Sequence, residues 1–353
     1  MGGNALKQGC VRISPRTYRK VLTRIMEGLC RPEYPEYGEV PGKYGTPRSY
    51  GSKESFGDID VVHTGFLCSS AEVDSLLKSK FLATEIVRNG PCISFDFHCP
   101  NLGVEIGEGK GVQVDLIEVK DEHFEFALGY YSYNDLGSLI GVIAKAHGFK
   151  FGHDGLYYRY DHNDSNQVSL VPCTKDYGEA VEFLGFHLGT INTSTLENIF
   201  EYVYNSDFFD VSLFQLDALN HTNRTRNSKR FVYMEFLKWL ETKQYKKPSV
   251  VPDLLKKACA EFSGFEKEFH NSVASLFLKE QVKEVYNGSI VFEWTGLEGK
   301  ELGELMKATR DYYASDTLLQ LDALYSPLQL KAVVISQLLR LPNVRSQAVL
   351  QVS

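Results

Sequence analysis

Two aspartates separated by one residue in a strand-like segment are the feature that most constrains this chain. Asp58 and Asp60 alternate with the apolar residues Ile59 and Val61, directly after a loop rich in glycine, serine, tyrosine and basic residues. Because residues i and i+2 of a strand point to the same face, the two carboxylates are predicted to project together. Two carboxylates this close repel each other unless a cation lies between them. The pattern therefore predicts a sheet with one apolar face and a cation site on the other.

A third aspartate, Asp115, lies in a second alternating segment that runs from Val112 to Val119. If the two strands are neighbours, the three carboxylates form a cup able to hold two metal ions for phosphoryl or nucleotidyl transfer. Hard oxygen ligands suit Mg²⁺, with Mn²⁺ as a second candidate, and Mg²⁺ usually completes its shell with substrate phosphates. The alternative is an Asp-x-Asp pair that merely ends a strand at a solvated edge. The glycine-rich lead-in and the third aspartate favour the metal site.

Length and composition indicate an ordinary globular protein of more than one domain. At 353 residues the chain is long for a single core and predicts two or three domains. Seven scattered cysteines without a Cys-x-x-Cys pair argue against a zinc site or a disulfide framework. They indicate a reducing compartment, and the cytoplasm fits best. No apolar run approaches the ~20 residues of a membrane span. The N-terminal residues lack the apolar core of a secretory signal.

The periodicity of apolar residues changes near residue 125. Before this point strands mix with two helices, one opening at Pro15 with Ser14 as its N-cap and one over 71–81 with Ser70 as its cap. Beyond it helical periodicity dominates, interrupted by a strand-like segment at 155–160. The helices predicted there span about residues 135–148, 174–184, 194–204, 228–242, 253–283, 300–313 and 327–340.

The residues around the aspartates resemble the DNA polymerase β branch, family X, of the nucleotidyltransferase superfamily. The segment 49–64 is similar to that family's glycine-serine loop and metal-binding strand, and 114–117 is similar to its third-aspartate strand. The segment 129–135 resembles the aromatic pair that opens the thumb subdomain. The match covers about residues 45–185, and the order and spacing of its pieces make it more specific than the Asp-x-Asp pair alone.

This resemblance implies an α+β fold. A polymerase β-like nucleotidyltransferase catalytic domain, with a mixed sheet and helices on one face, would precede a mostly helical body. The implied segments are a palm-like catalytic domain over 1–125, a thumb-like helical domain over 126–250 and a C-terminal helical domain over 251–353.

The resemblance also implies roles for individual residues of the catalytic domain. Asp58 and Asp60 would bind both metal ions, and Asp115 would bind the catalytic ion and help to deprotonate an attacking 3′-hydroxyl. The implied reaction is metal-dependent transfer of a nucleoside monophosphate from an NTP or dNTP to a nucleic-acid 3′ end, with release of pyrophosphate.

Further implied roles concern the bound nucleotide. Ser52 and Lys53, with backbone N–H groups near Gly51, would cradle the triphosphate. Tyr130 and Tyr131 would pack under its sugar and base. For a tyrosine pair ahead of a helix, ordinary core packing is the alternative.

The chain departs from the family pattern at three places. The family's Gly-Ser pair aligns at 45–46, 48–49 or 51–52, so the phosphate-binding segment stays open. The segment 132–134 replaces the usual Thr-Gly-Ser, so discrimination at the sugar does not carry over. Nothing before Arg48 resembles the helix-hairpin-helix and lyase domain with which repair polymerases grip a DNA gap.

The C-terminal region carries a second, fainter resemblance. Segments 286–290 and 296–305 look like an element near the end of tRNA CCA-adding and poly(A)-adding enzymes. Gly299 would begin a helix whose open N–H groups favour a phosphate, and Gly303 would allow close packing. A glycine-spaced packing motif is the alternative. That family's own head motifs are not present.

A cluster of basic residues suggests where a nucleic acid would bind, although the net charge of the chain is −7. Its members are Arg224, Arg226, Lys229 and Arg230. The aromatic residues beside it are Phe231, Tyr233, Phe236 and Trp239. Basic residues beside stackable rings suit a nucleic-acid strand. The alternatives are a solvated helix face for the cations and core packing for the rings.

Three other functions are compatible with the sequence. The first is template-independent addition to an RNA or tRNA 3′ end, which the C-terminal resemblance and the missing DNA-gap domain favour. The second is nucleotidylation of a protein or small molecule. The third is an inactive nucleotide- or nucleic-acid-binding protein, against which the presence of all three aspartates argues.

Overall fold

The computed structural model describes residues 5–7, 10–30, 42–66, 69–98, 110–161, 168–248, 250–313 and 316–341. The strands are β1 (Tyr44–Gly45), β2 (Asp58–His63), β3 (Ile86–Asn89), β4 (Cys92–Phe97), β5 (Val112–Glu118), β6 (Phe149–Gly152), β7 (Gly155–Asp161) and β8 (Val168–Thr174). The helices up to residue 204 are α1 (Pro15–Cys30), α2 (Ser70–Phe81), α3 (Phe124–Tyr131), α4 (Leu136–Ala146), α5 (Tyr177–Phe183) and α6 (Leu196–Tyr204). The later helices are α7 (His221–Asn227), α8 (Phe231–Glu241), α9 (Leu254–Glu261), α10 (Phe265–Val285), α11 (Gly288–Thr295), α12 (Gly299–Tyr312), α13 (Asp316–Tyr325) and α14 (Pro327–Leu338).

The main sheet is mixed and has five strands in the order β1-β2-β5-β4-β3. β2 and β5 are parallel neighbours, whereas the other neighbouring pairs are antiparallel. A second sheet has three strands in the order β6-β7-β8. These sheets and the many helices confirm the predicted α+β class.

The two faces of the main sheet are covered differently. On one face, α1 and α2 bury apolar side chains such as Ile25 and Leu77 against Ile59, Val61 and Val114. On the other face, which carries the aspartates of β2, α3 packs through Phe124 and Ala127 against Val62. The prediction of helices on one face therefore holds for α1 and α2 but missed α3. Its residues are apolar nearly all round, so they give a weak amphipathic signal.

Local capping accounts for the first two helices. The Ser14 hydroxyl accepts a hydrogen bond from the backbone N–H of Thr17 at 3.2 Å, which confirms the predicted N-cap of α1. For α2 the predicted Ser70 cap was wrong by one residue. Ser69 is the cap, because the side chain of Glu72, three residues on, returns to its backbone N–H at 2.7 Å and closes a capping box.

The predicted helix over 253–283 is two helices, α9 and α10. The chain turns between them through Gly264, whose φ of +79° lies in the left-handed region that ends helices. The short helices α7, α11 and α13 were also not predicted individually. Periodicity alone misses elements of two or three turns that begin and end at local caps, such as the Asn287 cap of α11.

The chain divides into two compact units. The first contains residues 1–159 and 172–265, and the second contains 160–171 and 266–353. The second unit has its own apolar core, which includes Val291, Leu305, Leu330 and Val334. The three predicted segments, 1–125, 126–250 and 251–353, do not coincide with this division and stay a prediction. Among the described residues, no helix is both long and apolar enough to cross a membrane.

Candidate metal centre

Three aspartates converge on the main sheet. Asp60 of β2 and Asp115 of β5 are direct neighbours in the parallel register, and Asp58 lies two residues before Asp60 on the same face. One potential ligand oxygen from each carboxylate lies within 4.8 Å of the other two. The predicted convergence of these three residues is therefore present, produced by period-2 alternation within each strand and by the pairing of β2 with β5.

The electrostatics of the site fit a cation. Burial, and then the charges of Asp58 and Asp115, raise the pKa of Asp60. Burial also raises the pKa of Asp115, a shift that hydrogen bonds from Ser94 and Gln113 oppose. Carboxylate oxygens are the ligands that Mg²⁺ prefers, so this donor set could hold a divalent metal.

Gln113 orients the third carboxylate. Its amide nitrogen Nε2 lies 3.0 Å from each carboxylate oxygen of Asp115, and its Oε1 accepts the backbone N–H of Ala5 at 3.0 Å. The side chain is buried, so its direction is fixed by packing as well as by these bonds. The sequence analysis did not identify Gln113, although its position two residues before Asp115 on the same alternating strand was an available signal.

A cleft of about 1260 Å³ in the first unit opens over Asp58 and Asp60. Several of its lining side chains are basic, namely Arg12, Arg48, Lys53, Lys229 and Arg230. Arg12 braces the adjoining loop, because its Nη2 donates to the carbonyl oxygen of Ser55 at 3.1 Å and to its hydroxyl at 3.0 Å. This contact spans 43 residues and had no local sequence signal. Acidic and basic side chains thus share one cavity, as an anionic ligand with a metal ion would require.

Lys53 is the lysine whose charge interacts with the aspartates. Burial lowers its pKa, while Asp58 and Asp60 oppose that shift. Its Nζ lies 3.3 Å from Oδ1 of Asn134 and 4.4 Å from the centre of the Phe56 ring. The predicted phosphate ligand therefore lies in the cleft beside the carboxylates.

The backbone cradle expected near Gly51 is not formed by the residues predicted for it. The N–H groups of Gly51 and Ser52 donate at 2.8 Å to the carbonyl oxygens of Thr193 and Ser194. The N–H of Lys53 donates to Tyr50 at 3.3 Å. These donors are used to attach the loop to a distant segment, so the prediction of an open nest of N–H groups was wrong. The side chains of Ser52 and Lys53 line the cleft.

The other two alignments of the phosphate-binding pair fare differently. Gly45 belongs to β1, where an added Cβ would lie 2.9 Å from the side chain of Leu128, so this glycine serves packing. Arg48 and Ser49 both line the cleft. Of the three alternatives, 48–49 and 51–52 are placed to reach a ligand there.

The two candidate tyrosines point to different places. Tyr131 lines the cleft, and its ring stacks on His153 with 6.0 Å between ring centres. Tyr130 is absent from the cleft lining and packs on Phe151 at 5.7 Å. The structure therefore brings Tyr131 to the candidate site and leaves Tyr130 in a packing role, the alternative that the sequence left open.

The segment after the tyrosines is tied to the loop that precedes the aspartates. Tyr133 and Asn134 both have positive φ, +58° and +62°, although neither is glycine. The Ser132 hydroxyl accepts the N–H of Arg48 at 2.9 Å, and the N–H of Tyr133 donates to the Arg48 carbonyl at 2.5 Å. These bonds hold the turn in its left-handed conformation and fix the position of Arg48.

The predicted basic cluster is divided between two locations. Lys229 and Arg230 line the cleft. Arg230 is not free, because its Nη1 lies 2.5 Å from Oδ1 of Asp135 and 2.8 Å from Oγ of Ser138. Arg224 and Arg226 belong to α7 and are exposed, with Arg224 donating to the Leu219 carbonyl at 3.1 Å. The four residues therefore do not form a single set of free cations.

The neighbouring aromatic residues divide in the same way. Tyr233 and Phe236 are buried, and Trp239 stacks on Phe236 with 6.1 Å between ring centres. Phe231 alone of the four lines the cleft. Core packing, the alternative interpretation, is correct for the first three rings.

Of the two structural predictions for the C-terminal glycines, one is confirmed. Gly299 begins α12, as predicted. Apart from Gly303's chain neighbours and the backbone of its own helix, no atom of the described residues lies within 4 Å of a Cβ built there, so the predicted close packing was wrong.

Comparisons with known proteins give little guidance. No family model matches the sequence, and no curated protein matches it. One solved structure with similarity to this chain is a crystal structure of Leishmania infantum polymerase β in a ternary gap complex, with 12% identity and a TM-score of 0.34. The match covers 43% of this chain and 52% of that one, so this chain spans about half the length of that structure. The roles proposed below therefore depend on the geometry of this chain.

Proposed function

We propose that this protein is a metal-dependent nucleotidyltransferase that adds nucleoside monophosphates from an NTP or dNTP to a nucleic-acid 3′-hydroxyl and releases pyrophosphate. The observation that carries the proposal is the convergence of Asp58, Asp60 and Asp115 within 4.8 Å on two paired strands. The basic side chains of the same cleft support it, because a triphosphate needs compensating charge in addition to a metal ion.

In this proposal the three aspartates hold Mg²⁺, or Mn²⁺ in its place. Bound there, the metal would neutralise phosphate charge and lower the pKa of the acceptor hydroxyl. Asp115 accepts the proton of that hydroxyl, and Gln113 keeps its carboxylate in a fixed direction through two hydrogen bonds. Lys53 and Arg48 contact the phosphates from the loop side of the cleft.

The experiment is transfer of label from each α-³²P-labelled NTP and dNTP in the presence of Mg²⁺ or Mn²⁺. The acceptors are gapped duplex DNA, single-stranded DNA, single-stranded RNA and tRNA, with the protein alone as a further reaction. We expect label on a nucleic-acid 3′ end and its loss in metal chelator. Asp115→Ala should reduce transfer roughly 100-fold or more, because a catalytic metal stabilises the transition state by several kcal/mol.

Asp217→Ala is the matched control, because it removes an exposed aspartate of the same unit that does not line the cleft. It should transfer label like the wild type. Label on RNA ends with NTP preference would select the RNA-tailing alternative, and label on the polypeptide alone would select protein nucleotidylation. Absence of transfer to every acceptor with either metal would overturn the proposal in favour of a binding protein.

A further inference from the structure

The N-terminal end of α8 places an aromatic ring in the cleft. Phe231 is 58% exposed, whereas Tyr233 and Phe236 on the same helix are 1% and 0% exposed. A single exposed phenylalanine on a surface is ordinary. This ring, however, lines the cavity that also contains Asp58 and Asp60.

The two residues before Phe231 are both basic and both line the cleft. The side chain of Arg230, the residue just before the ring, is held by Asp135 and Ser138 at the start of α4. Lys229 is exposed, lines the cleft and makes no ion pair among the residues that the structure describes. An exposed ring and an available cation therefore lie two residues apart in the lining of the cleft.

A continuous set of contacts connects this wall to the aspartates. Lys53, whose charge interacts with Asp58 and Asp60, lies 3.3 Å from the side chain of Asn134. The next residue, Asp135, is paired with Arg230 at 2.5 Å. Phe231 follows Arg230 and lines the same cleft as Lys53 and Asp58, so its exposed ring is open to a group attached to a phosphate bound there.

Three of the other four rings that line the cleft stack on neighbours, and the fourth, Tyr50, is partly buried. Tyr18 stacks on Phe56 with 4.0 Å between ring centres, and Tyr131 stacks on His153. Within the described ranges of the chain, no aromatic ring pairs with Phe231. Its exposed face is available for a planar ligand.

We propose that Phe231 and Lys229 form a subsite for a nucleobase and its adjacent phosphate, with the base stacked on the ring and the phosphate beside the ammonium group. The inference rests on the proposed function for the chemical class of its ligand. Aromatic rings bind bases of any sequence through their π faces, while lysine contributes a point charge to the backbone. The base belongs to the incoming nucleotide or to the acceptor strand, and binding can distinguish the two.

The test uses two pairs of ligands, and in each pair one ligand has bases and the other lacks them. One pair is ATP and inorganic tripolyphosphate, and the other is a short single-stranded oligonucleotide and an abasic strand of equal length. Affinities are measured with Mg²⁺ for the wild type, Phe231→Ala and Phe231→Trp. Phe277→Ala is the control, because that ring is 56% exposed on α10 and does not line the cleft.

We expect Phe231→Ala to weaken the base-containing member of one pair roughly 5- to 150-fold, the range of base–aromatic stacking, and to leave its base-free counterpart unchanged. Phe231→Trp should retain the affinity, and Phe277→Ala should behave as the wild type. The pair that responds identifies the source of the base. Lys229→Ala should weaken both members of that pair equally, since it contacts phosphate.

Two results would overturn the subsite. One is an unchanged preference for base-containing ligands in Phe231→Ala, and the other is an equal loss in Phe277→Ala. Thermal unfolding of each variant excludes a general loss of structure. If the preference depends on Phe231 but no label is transferred, the subsite stands and the proposed activity falls. If transfer depends on Asp115 while Phe231→Ala binds like the wild type, the proposed activity stands and the subsite falls.

Discussion

At the scale of single residues, the candidate site concentrates three aspartates on one face of the main sheet. Asp60 lies between two other carboxylates, and burial together with those charges raises its pKa. Asp96, on β4 of the same sheet, has a pKa that is shifted in the opposite direction. Although burial opposes it, hydrogen bonds from Thr84, Glu85 and His98 lower the pKa of Asp96. The charge of Asp60 is therefore unfavourable without a cation, whereas that of Asp96 is satisfied by hydrogen bonds.

These environments predict opposite effects of the same substitution. Asp60→Asn should raise the free energy of unfolding of the metal-free protein by about 1–3 kcal/mol, because like charges at this spacing repel by a few kcal/mol near a protein surface. Asp96→Asn should lower it by about 2 kcal/mol, because it weakens charge-assisted hydrogen bonds from the backbone N–H groups of Thr84 and Glu85. Urea unfolding in chelator measures both changes.

Addition of Mg²⁺ completes this experiment. A ligand at a hundred times its Kd stabilises the wild type by about 2.7 kcal/mol. This stabilisation should persist in Asp96→Asn and disappear in Asp60→Asn. Equal stabilisation of the two variants by Mg²⁺ would show that the metal does not bind at the three aspartates.

At the scale of secondary-structure elements, the close approach of α3 and α4 places Tyr131 and Asp135 at the cleft. Gly137 in the first turn of α4 permits that approach, since a Cβ there would lie 2.3 Å from the Tyr130 carbonyl oxygen. Gly141 is on the same helix, but a Cβ there would meet only the Phe151 carbonyl oxygen at 3.7 Å. The α3–α4 contact therefore requires glycine at position 137, whereas position 141 has room for a larger residue.

Alanine should therefore have opposite effects on stability at the two positions. Gly137→Ala should destabilise the protein by about 1–3 kcal/mol, because the backbone of α3 cannot move aside without repacking. Gly141→Ala should stabilise it by up to about 1 kcal/mol, the difference in helix propensity. Denaturant midpoints at constant slope measure both. A stabilising Gly137→Ala would mean that α3 and α4 can separate without cost.

At the scale of the whole molecule, each compact unit has its own apolar core. The core of the second unit includes Leu330 on α14, which is fully buried, whereas Leu328 on the same helix is 85% exposed. The strands that carry the aspartates belong to the first unit. A defect in the second core should therefore be visible in its own helices.

Hydrogen exchange tests this division. Leu330→Ala should lower the free energy of unfolding of the second unit by about 2–5 kcal/mol. It should also speed amide exchange in α11, α12 and α14, which surround the cavity that the substitution creates. Amides of β2 and β5 should keep their protection. Leu328→Ala should leave every rate unchanged. Faster exchange throughout the chain in Leu330→Ala would show that the two units unfold as one.

Local patterns in the sequence were sufficient for the faces of the strands and the approximate positions of most helices, whereas the α+β class came from the resemblance. Alternation put Asp58 and Asp60 on one face because the period of a strand is two residues, and the Ser14 cap began α1 through a bond that spans three residues. These features depend on neighbours in the chain, so they can be predicted from it. Ser69 and Ser70 are adjacent and both suit an N-cap, so the predicted start of α2 was wrong by one residue.

Contacts between distant residues were decided only by the tertiary structure. The pairing of β2 with β5 brought Asp115 to Asp60, and Arg230 reached Asp135 across 95 residues of sequence. The N–H groups of Gly51 and Ser52 were used by the segment at 193–194, which removed the predicted cradle. The sequence determined which chemical groups were available and which face of an element each would occupy. Only packing determined which groups stayed free for a ligand, because a hydrogen bond or ion pair forms with whatever partner the fold brings within reach.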